Sequence, residues 1–337
     1  MQKFFEDTSL ELKTLEPLLV EYLLTPNEPT NEVLRHIFGA GGKRIRPSLF
    51  LLVSELIGYS GEHRMPIAAV CEYIHTASLL HDDVIDNSTL RRGKPTANSV
   101  WGDETAVLAG DLIYSAACRL MVKTRSLELI DTFAECIRFM SESELFQLEL
   151  LWRSDVSEEQ YDRVVKGKTA ILFEASCKTP GFLAELPTPT RTALGDYGHH
   201  LGFVFQITDD ILDYAGQASE VGKNVGADLR AGKLTLPVLC GIESENHLPD
   251  SERLLTRLVA QTLQQGECSD KDLHTIITRV QSTGGLTAAR NKAQAHAEQA
   301  KNALIKGCEY MKTLKPKQLS VQSTLLELPD ALLVRTR

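Results

Sequence analysis

The run Leu79-Leu80-His81-Asp82-Asp83-Val84-Ile85-Asp86, followed at once by Asn87-Ser88-Thr89-Leu90-Arg91-Arg92-Gly93, decides how the rest of the chain is read. Three carboxylates within five residues close a long apolar stretch, which packing alone does not explain. At 3.6 residues per turn, Asp82 and Asp86 share one helix face and Asp83 stands about 100° round from Asp82. Like charges this close repel, so the cluster calls for cations. Hard oxygen donors with few cysteines or histidines nearby favour Mg²⁺, which is typically held by one or two carboxylates plus substrate phosphates. Arg91 and Arg92 add guanidinium forks suited to phosphate oxygens. The stretch thus reads as a helix end that holds a diphosphate between Mg²⁺ and arginine.

Working outward, the 337 residues allow two average domains or one large bundle. Hydrophobic residues at 43% and charged residues at 24% are ordinary for a globular protein. A formal charge of −9 argues against a general nucleic-acid binder. No continuous apolar run approaches the roughly 18 residues of a membrane span, and the first residues lack a basic n-region followed by an apolar one. A cytoplasmic protein without a transmembrane segment is expected. The seven cysteines are scattered, odd in number and without C-x-x-C, as for reduced core residues.

Apolar spacing predicts helices over residues 1–24, 30–38, 46–57 and from Pro66 to the Asp cluster. Further helices are expected over 103–123, 127–151, from Ser157 to about Ser176, and over 189–214. A short one follows Gly232-Lys233, and then come 250–266, 270–281, 284–312 and 316–328. Pro180-Gly181 and Pro187-Thr188-Pro189 bracket a connection. No sustained alternating strand pattern occurs. The expected fold is all-α, a large antiparallel bundle around a deep cavity, in a single domain spanning 1–337.

A second apolar helix closes with Asp209-Asp210-Ile211-Leu212-Asp213, an echo of Asp82 to Asp86. One D-D-x-x-D is a weak signal because acidic triplets also occur on solvated faces; two, each ending an apolar helix, suggest helices facing across a cavity. Gln206, one turn before Asp209, and Ser78 and His75, one and two turns before Asp82, extend each line as a wet, ligand-binding face. An EF-hand fails, because Asn87 stands where that loop needs glycine and Gly93 where it needs glutamate. A His-Asp metal phosphohydrolase built on His81-Asp82 leaves the arginines and the second cluster unexplained. Basic residues recur beside glycine at Gly42-Lys43-Arg44-Ile45-Arg46, Arg91-Arg92-Gly93-Lys94, Gly167-Lys168-Thr169, Gly222-Lys223 and Gly232-Lys233. Any one of these is ordinarily a solvated turn; five in an acidic protein suggest two anion pockets. None fits the Walker pattern.

In this order, Gly41 to Pro47, His75 to Thr96, Gly167 to Ala170, Phe205 to Asp213 and Gly222 to Pro237 resemble the successive motifs of the trans-isoprenyl (polyprenyl) diphosphate synthases, most closely bacterial long-chain members such as the octaprenyl enzymes. The resemblance implies head-to-tail prenyl transfer with Mg²⁺, three ions per site, held by Asp82, Asp83, Asp86, Asp209, Asp210 and Asp213. It implies that Arg91, Lys168, Thr169, Gln206, Lys223 and Lys233 receive the allylic diphosphate, with Lys168, Thr169 and Gln206 closest to the chemistry. Isopentenyl diphosphate falls to Lys43, Arg46, His75 and Arg92. The family base is the leaving diphosphate, so no side chain is nominated. A homodimer is also implied.

Product length turns on the residues behind Asp82. Ala77 and Ser78 are small where short-chain relatives commonly carry bulky aromatics, and each helical turn adds about 5.4 Å of depth. A long product, most simply octaprenyl diphosphate as a quinone side-chain precursor, is expected, with Tyr73 as a partial floor or an ordinary packing residue. The rival readings are a geranylgeranyl or farnesyl synthase, a terpene cyclase, which normally replaces the second D-D-x-x-D, and a non-catalytic partner subunit, which tends to lose aspartates. Ser143 departs from a glycine common in relatives, and Arg230-Ala231-Gly232 from a more acidic lead-in.

Overall fold

The computed structural model describes residues 1–215, 225–311 and 314–335. Its helices, in chain order, are α1 (Gln2–Glu21), α2 (Glu28–Gly39), α3 (Ile45–Leu56), α4 (Arg64–Ile85), α5 (Ala97–Trp101), α6 (Asp103–Lys123), α7 (Leu127–Leu150) and α8 (Glu158–Val165). After a π turn at Lys166–Ala170 come α9 (Ile171–Lys178), α10 (Pro180–Leu183), α11 (Thr188–Ala215), α12 (Ala227–Arg230) and α13 (Leu236–Ser244). The chain closes with α14 (Leu254–Gln265), α15 (Asp270–Ser282), α16 (Gly285–Glu309) and α17 (Pro316–Leu333). Among the described residues the only strands are β1 (Leu90–Arg91) and β2 (Lys94–Pro95), paired antiparallel. Their turn has positive φ at Arg92 (53°) and Gly93 (76°), the mirror-image geometry that matches strand twist in two-residue hairpins.

Local signals explain most boundaries. Ser157 accepts a hydrogen bond from the Gln160 N–H, and the Gln160 side chain accepts one from the Ser157 N–H, a capping box that opens α8. The continuous helix expected from Ser157 to about Ser176 is instead α8, the π turn and α9, one helical path with a widened turn in the middle. The connection expected near Pro180 holds the short α10.

The chain forms two compact units, one of Met1–Ile137, Leu172–Gly195 and Ile305–Leu325, the other of Arg138–Ile171, Asp196–Leu304 and Leu326–Arg337. In the first, α3 and α4 are interior: Ile45 to Leu56 is buried except at Glu55, and Ile67 to Ile74 without a break. A helix buried all round needs apolar residues on every face, which is how both read. α6 packs extensively along α4. By length and composition α6 could cross a membrane, as a core helix of a globular protein also can, and part of its surface is spent on α4. In the second unit, Tyr161, Val165, Phe203, Ile207 and Ile211 form one apolar cluster with Ala289 and Ala293, and Val238, Leu255, Leu273 and Ile277 belong to another. The cysteines are all free; five are buried as expected, whereas Cys118 is exposed and Cys268 half-buried.

Candidate active site

In the first unit, α4 carries the opening acidic motif to its last turn, and the Asp86 N–H bonds the Asp82 carbonyl at 2.8 Å. Asp82 is half-buried and Asp86 exposed. Asp83, rotated off that face, is 4% exposed, and both its oxygens accept from Arg91, with Nη2 to Oδ1 at 2.7 Å and Nε to Oδ2 at 3.1 Å. Arg91 stands on β1, so this pair ties the hairpin to α4. The hairpin is anchored from its other side by Lys94 Nζ on the Gly39 carbonyl (2.7 Å), by the Pro95 carbonyl on His36 (2.9 Å) and by Arg92 on the Gly41 carbonyl. The Arg92 guanidinium lies close against Gly42, where an added Cβ would come 2.4 Å from its Nη1.

This arrangement gathers positive charge. Burial first, then Arg46, Arg92, Arg91 and Arg44, push the His75 imidazole well below its ordinary range, so it stays neutral at physiological pH. Arg46 is 9% exposed with its guanidinium 4.8 Å above the Phe173 ring, and Lys43 is exposed just before it. Arg44, grouped by sequence with the phosphate-binding residues, has another task. It is 5% exposed, sits at φ 48°, and pairs with Glu16 at 2.8 Å and with buried Glu72 at 2.5 Å, joining α1 and α4 to the start of α3.

Behind the motif, Ala77 is fully buried, and Ser78 donates to the His75 carbonyl at 2.9 Å. Tyr73 is also fully buried, but its hydroxyl donates to the Leu19 carbonyl at 2.8 Å and its ring meets Phe38 edge-on. These contacts pack Tyr73 against α1 and α2.

In the second unit the C-terminal end of α11 repeats the division of labour. Asp209 is exposed, while Asp210 is 2% exposed and its two oxygens accept from the Tyr161 hydroxyl (2.6 Å) and the Gln206 amide (2.8 Å). Asp213 accepts from the backbone N–H groups of Ala227 (3.0 Å) and Asp228 (3.2 Å), holding α12 in place. The middle and last aspartates, expected as metal ligands, thus have their oxygens committed to protein partners. Burial, aided by the charge of Asp228, pushes the Asp210 carboxyl up to about 8. Burial and Asp213 push Asp228 up to about 6, against the pull of Lys233 and Lys168.

Thr169, on the π turn, donates to the Gln206 Oε1 at 2.7 Å, and Lys168 Nζ reaches Glu144 (2.7 Å) and Gln147 (3.0 Å). Lys168, Thr169, Gln206, Asp210, Asp228 and Lys233 line one cavity of about 120 Å³. Two glycines bring the backbones this close: a Cβ on Gly202 would meet Ala170 Cα at 2.5 Å, and one on Gly167 would meet Ser143 Oγ at 1.8 Å. Ser143 is nonetheless accommodated, buried at 5% with its hydroxyl near the Arg163 carbonyl. Lys223 lies outside the described residues. Sequence overlooked two partners: Tyr161, whose only signal was its place one helical path before Lys168, and Arg335. The Arg335 guanidinium lies 4.1 Å above the Phe205 ring, donates to the Phe205 carbonyl at 2.9 Å and pairs with Asp209.

At the end of α4, Asp82 and Asp86, and separately at the end of α11, Asp209, offer carboxylate oxygen, the donor type that suits a hard divalent cation. Among the described residues no three His, Cys, Asp or Glu side chains gather to hold a metal by themselves.

Residues 27–277 match the polyprenyl synthetase family model. The chain belongs to the polyprenyl synthetase family. It is 37% identical over 304 residues to the octaprenyl diphosphate synthase of Escherichia coli K12, covering 90% of this chain and 92% of that one. The crystal structure of a decaprenyl diphosphate synthase from Rhodobacter capsulatus superposes with a TM-score of 0.89 at 34% identity, covering 100% of this chain and 99% of that one. A polyprenyl synthase from Caulobacter crescentus, crystallised with calcium and isoprenyl diphosphate, superposes with a TM-score of 0.87 at 31% identity, covering 100% and 98%. The synthase is accordingly a prenyltransferase that makes a trans-polyprenyl diphosphate, and divalent metal belongs to the chemistry of its family.

Proposed function

We propose that this synthase condenses isopentenyl diphosphate head-to-tail onto an allylic diphosphate, with Mg²⁺, until the product reaches about octaprenyl length. The feature that supports the length is the small side chain of Ala77 behind Asp82 on α4, where an aromatic ring would fill space that a methyl group does not. The relationship to the octaprenyl enzyme supports the same reading.

Asp82 and Asp86 at the end of α4, and Asp209 at the end of α11, would each hold metal, with Arg91, Lys168, Lys223 and Lys233 assigned to the allylic diphosphate and Lys43, Arg46, His75 and Arg92 to isopentenyl diphosphate. When bound, Mg²⁺ neutralises the negative charge that grows on the departing diphosphate. Lys168 and Arg91 hold that charge in fixed positions and so need no reorganisation as it develops. Neutral His75 can donate one hydrogen bond to a phosphate oxygen while the arginines supply charge. The Thr169 and Gln206 dipoles face the allylic carbon and soften its positive charge without bonding to it. The double bond of isopentenyl diphosphate then attacks, and the leaving diphosphate takes the proton.

Assembly as a homodimer fits exposed apolar residues on one helix, since Val107, Leu108 and Val122 of α6 all face solvent. The deciding assay combines Mg²⁺, labelled isopentenyl diphosphate and farnesyl diphosphate and measures product length by mass. Products of about forty carbons are expected. A product ending at twenty carbons overturns the long-chain reading, and no elongation overturns the activity.

A further inference from the structure

Four side chains in the second unit form an unbroken hydrogen-bonded line: Tyr161 of α8 to Asp210 (2.6 Å), Gln206 to Asp210 (2.8 Å), and Thr169 of the π turn to Gln206 (2.7 Å). All four line the same cavity. We propose that Tyr161 and Asp210 are positioning residues, which act through Gln206 to turn the oxygen lone pairs of Thr169, and not its proton, toward the cavity. The inference rests on the prenyl-transfer reading, because it gives that orientation a purpose: an allylic carbon that turns electron-poor is stabilised by a lone pair and repelled by a hydroxyl proton.

The polarity of the line follows from what each group can do. Gln206 sets its Nε2 against Asp210 Oδ1 and its Oε1 against Thr169, and Oδ1 accepts both in the carboxylate and in an acid whose proton is on Oδ2. An amide oxygen only accepts, so Thr169 donates its single proton to Gln206. If the amide were reversed, its NH₂ would donate to Thr169 and the hydroxyl proton would turn into the cavity. Asp210 therefore sets the amide. Tyr161 sets Asp210 in turn: the carboxyl is 2% exposed, and a buried oxygen without a partner would draw the group toward another donor. The capping box of Ser157 and Gln160 fixes the start of the helix that carries Tyr161. This explains why Asp210, in the middle of a metal-binding motif, is turned away from the exposed side on which Asp209 lies.

The test uses the full-length synthase, Tyr161→Phe, Asp210→Asn and the double variant. Steady-state elongation is measured beside calorimetric titration of Mg²⁺ in the presence of inorganic diphosphate. Tyr161→Phe should lower kcat about tenfold, the effect of one lost transition-state interaction, while KM for both substrates stays within about two-fold. The double variant should be no slower than Asp210→Asn alone, since both act through one line. Mg²⁺ affinity should stay within about two-fold of wild type in every variant. A merely structural role would lower the unfolding temperature without moving kcat per folded molecule, and that result overturns the proposal. So does a loss of Mg²⁺ affinity in Asp210→Asn matching its loss of rate, which would make Asp210 a metal ligand. Should Asp210→Asn not fold, Tyr161→Phe decides alone, an unchanged kcat refuting the proposal. Wild-type enzyme that fails to elongate refutes the prenyl-transfer reading, a result separate from either of these.

Discussion

Within each D-D-x-x-D the aspartates divide the work. Asp82 and Asp209 stand toward solvent, while Asp83 and Asp210 turn inward to Arg91 and to Tyr161 and Gln206. Substituting the first kind removes charge from the diphosphate site. Asp82→Asn should lower kcat by roughly 100-fold or more with little change in unfolding temperature, measured by steady-state kinetics beside calorimetry. Arg44→Ala should do the reverse, because it leaves the buried Glu72 carboxylate without its partner. Chemical denaturation should show a loss of about 3–5 kcal/mol with kcat retained at temperatures where the variant is folded. At this scale the sequence named nearly every polar group at the two sites but not its partner. Helical periodicity placed Asp83 off the face of Asp82, yet that it meets Arg91 depends on a hairpin only two residues wide on each side. Arg44 sits between Lys43 and Arg46 in one basic run, and the sequence left it without a role; the carboxylates contributed from α1 and α4 give it one.

At the scale of elements, α4 is a scaffold and, in the proposed function, a ruler. Ala77→Phe should shorten the products without abolishing turnover, read by mass spectrometry of the prenyl alcohols, and an unchanged length distribution would place the limit elsewhere. Tyr73→Phe should leave product length alone and cost about 1 kcal/mol of stability, the worth of one buried hydrogen bond to α1. Caps, prolines and apolar spacing made α3, α4, α11 and the start of α8 legible to within a few residues. The π turn was not, because its residues Lys166 to Ala170 are compatible with an ordinary helix. What widens the turn is not written in local propensity; Gly167 against Ser143 and Gly202 against Ala170 are contacts between distant segments. Such turns recur at functional sites, and this one carries both Lys168 and Thr169.

Across the molecule, acid sensitivity provides a test independent of catalysis. His200 and His296 meet Nδ1 to Nδ1 at 3.0 Å, with the Phe203 ring stacked on His296. Burial and then the neighbouring histidines push His296 down to about 4. The unfolded chain therefore takes up this proton first as pH falls, so the contribution of the pair is complete above about 6.5 and is lost toward about 4. The unfolding temperature should drop between pH 7 and pH 5, and His296→Phe should flatten that drop. Sedimentation at micromolar concentration should give a dimer, and a charged residue at Leu108 should weaken it. The sequence alone determined the helical class, the order of the motifs and the chemical character of the ligands, because these follow from periodicity and from which side chains can carry charge. Only the tertiary structure decided which carboxylates stay exposed, which arginine is a strut and which way a threonine hydroxyl points, because burial and hydrogen-bond partners are set by segments far apart in the chain.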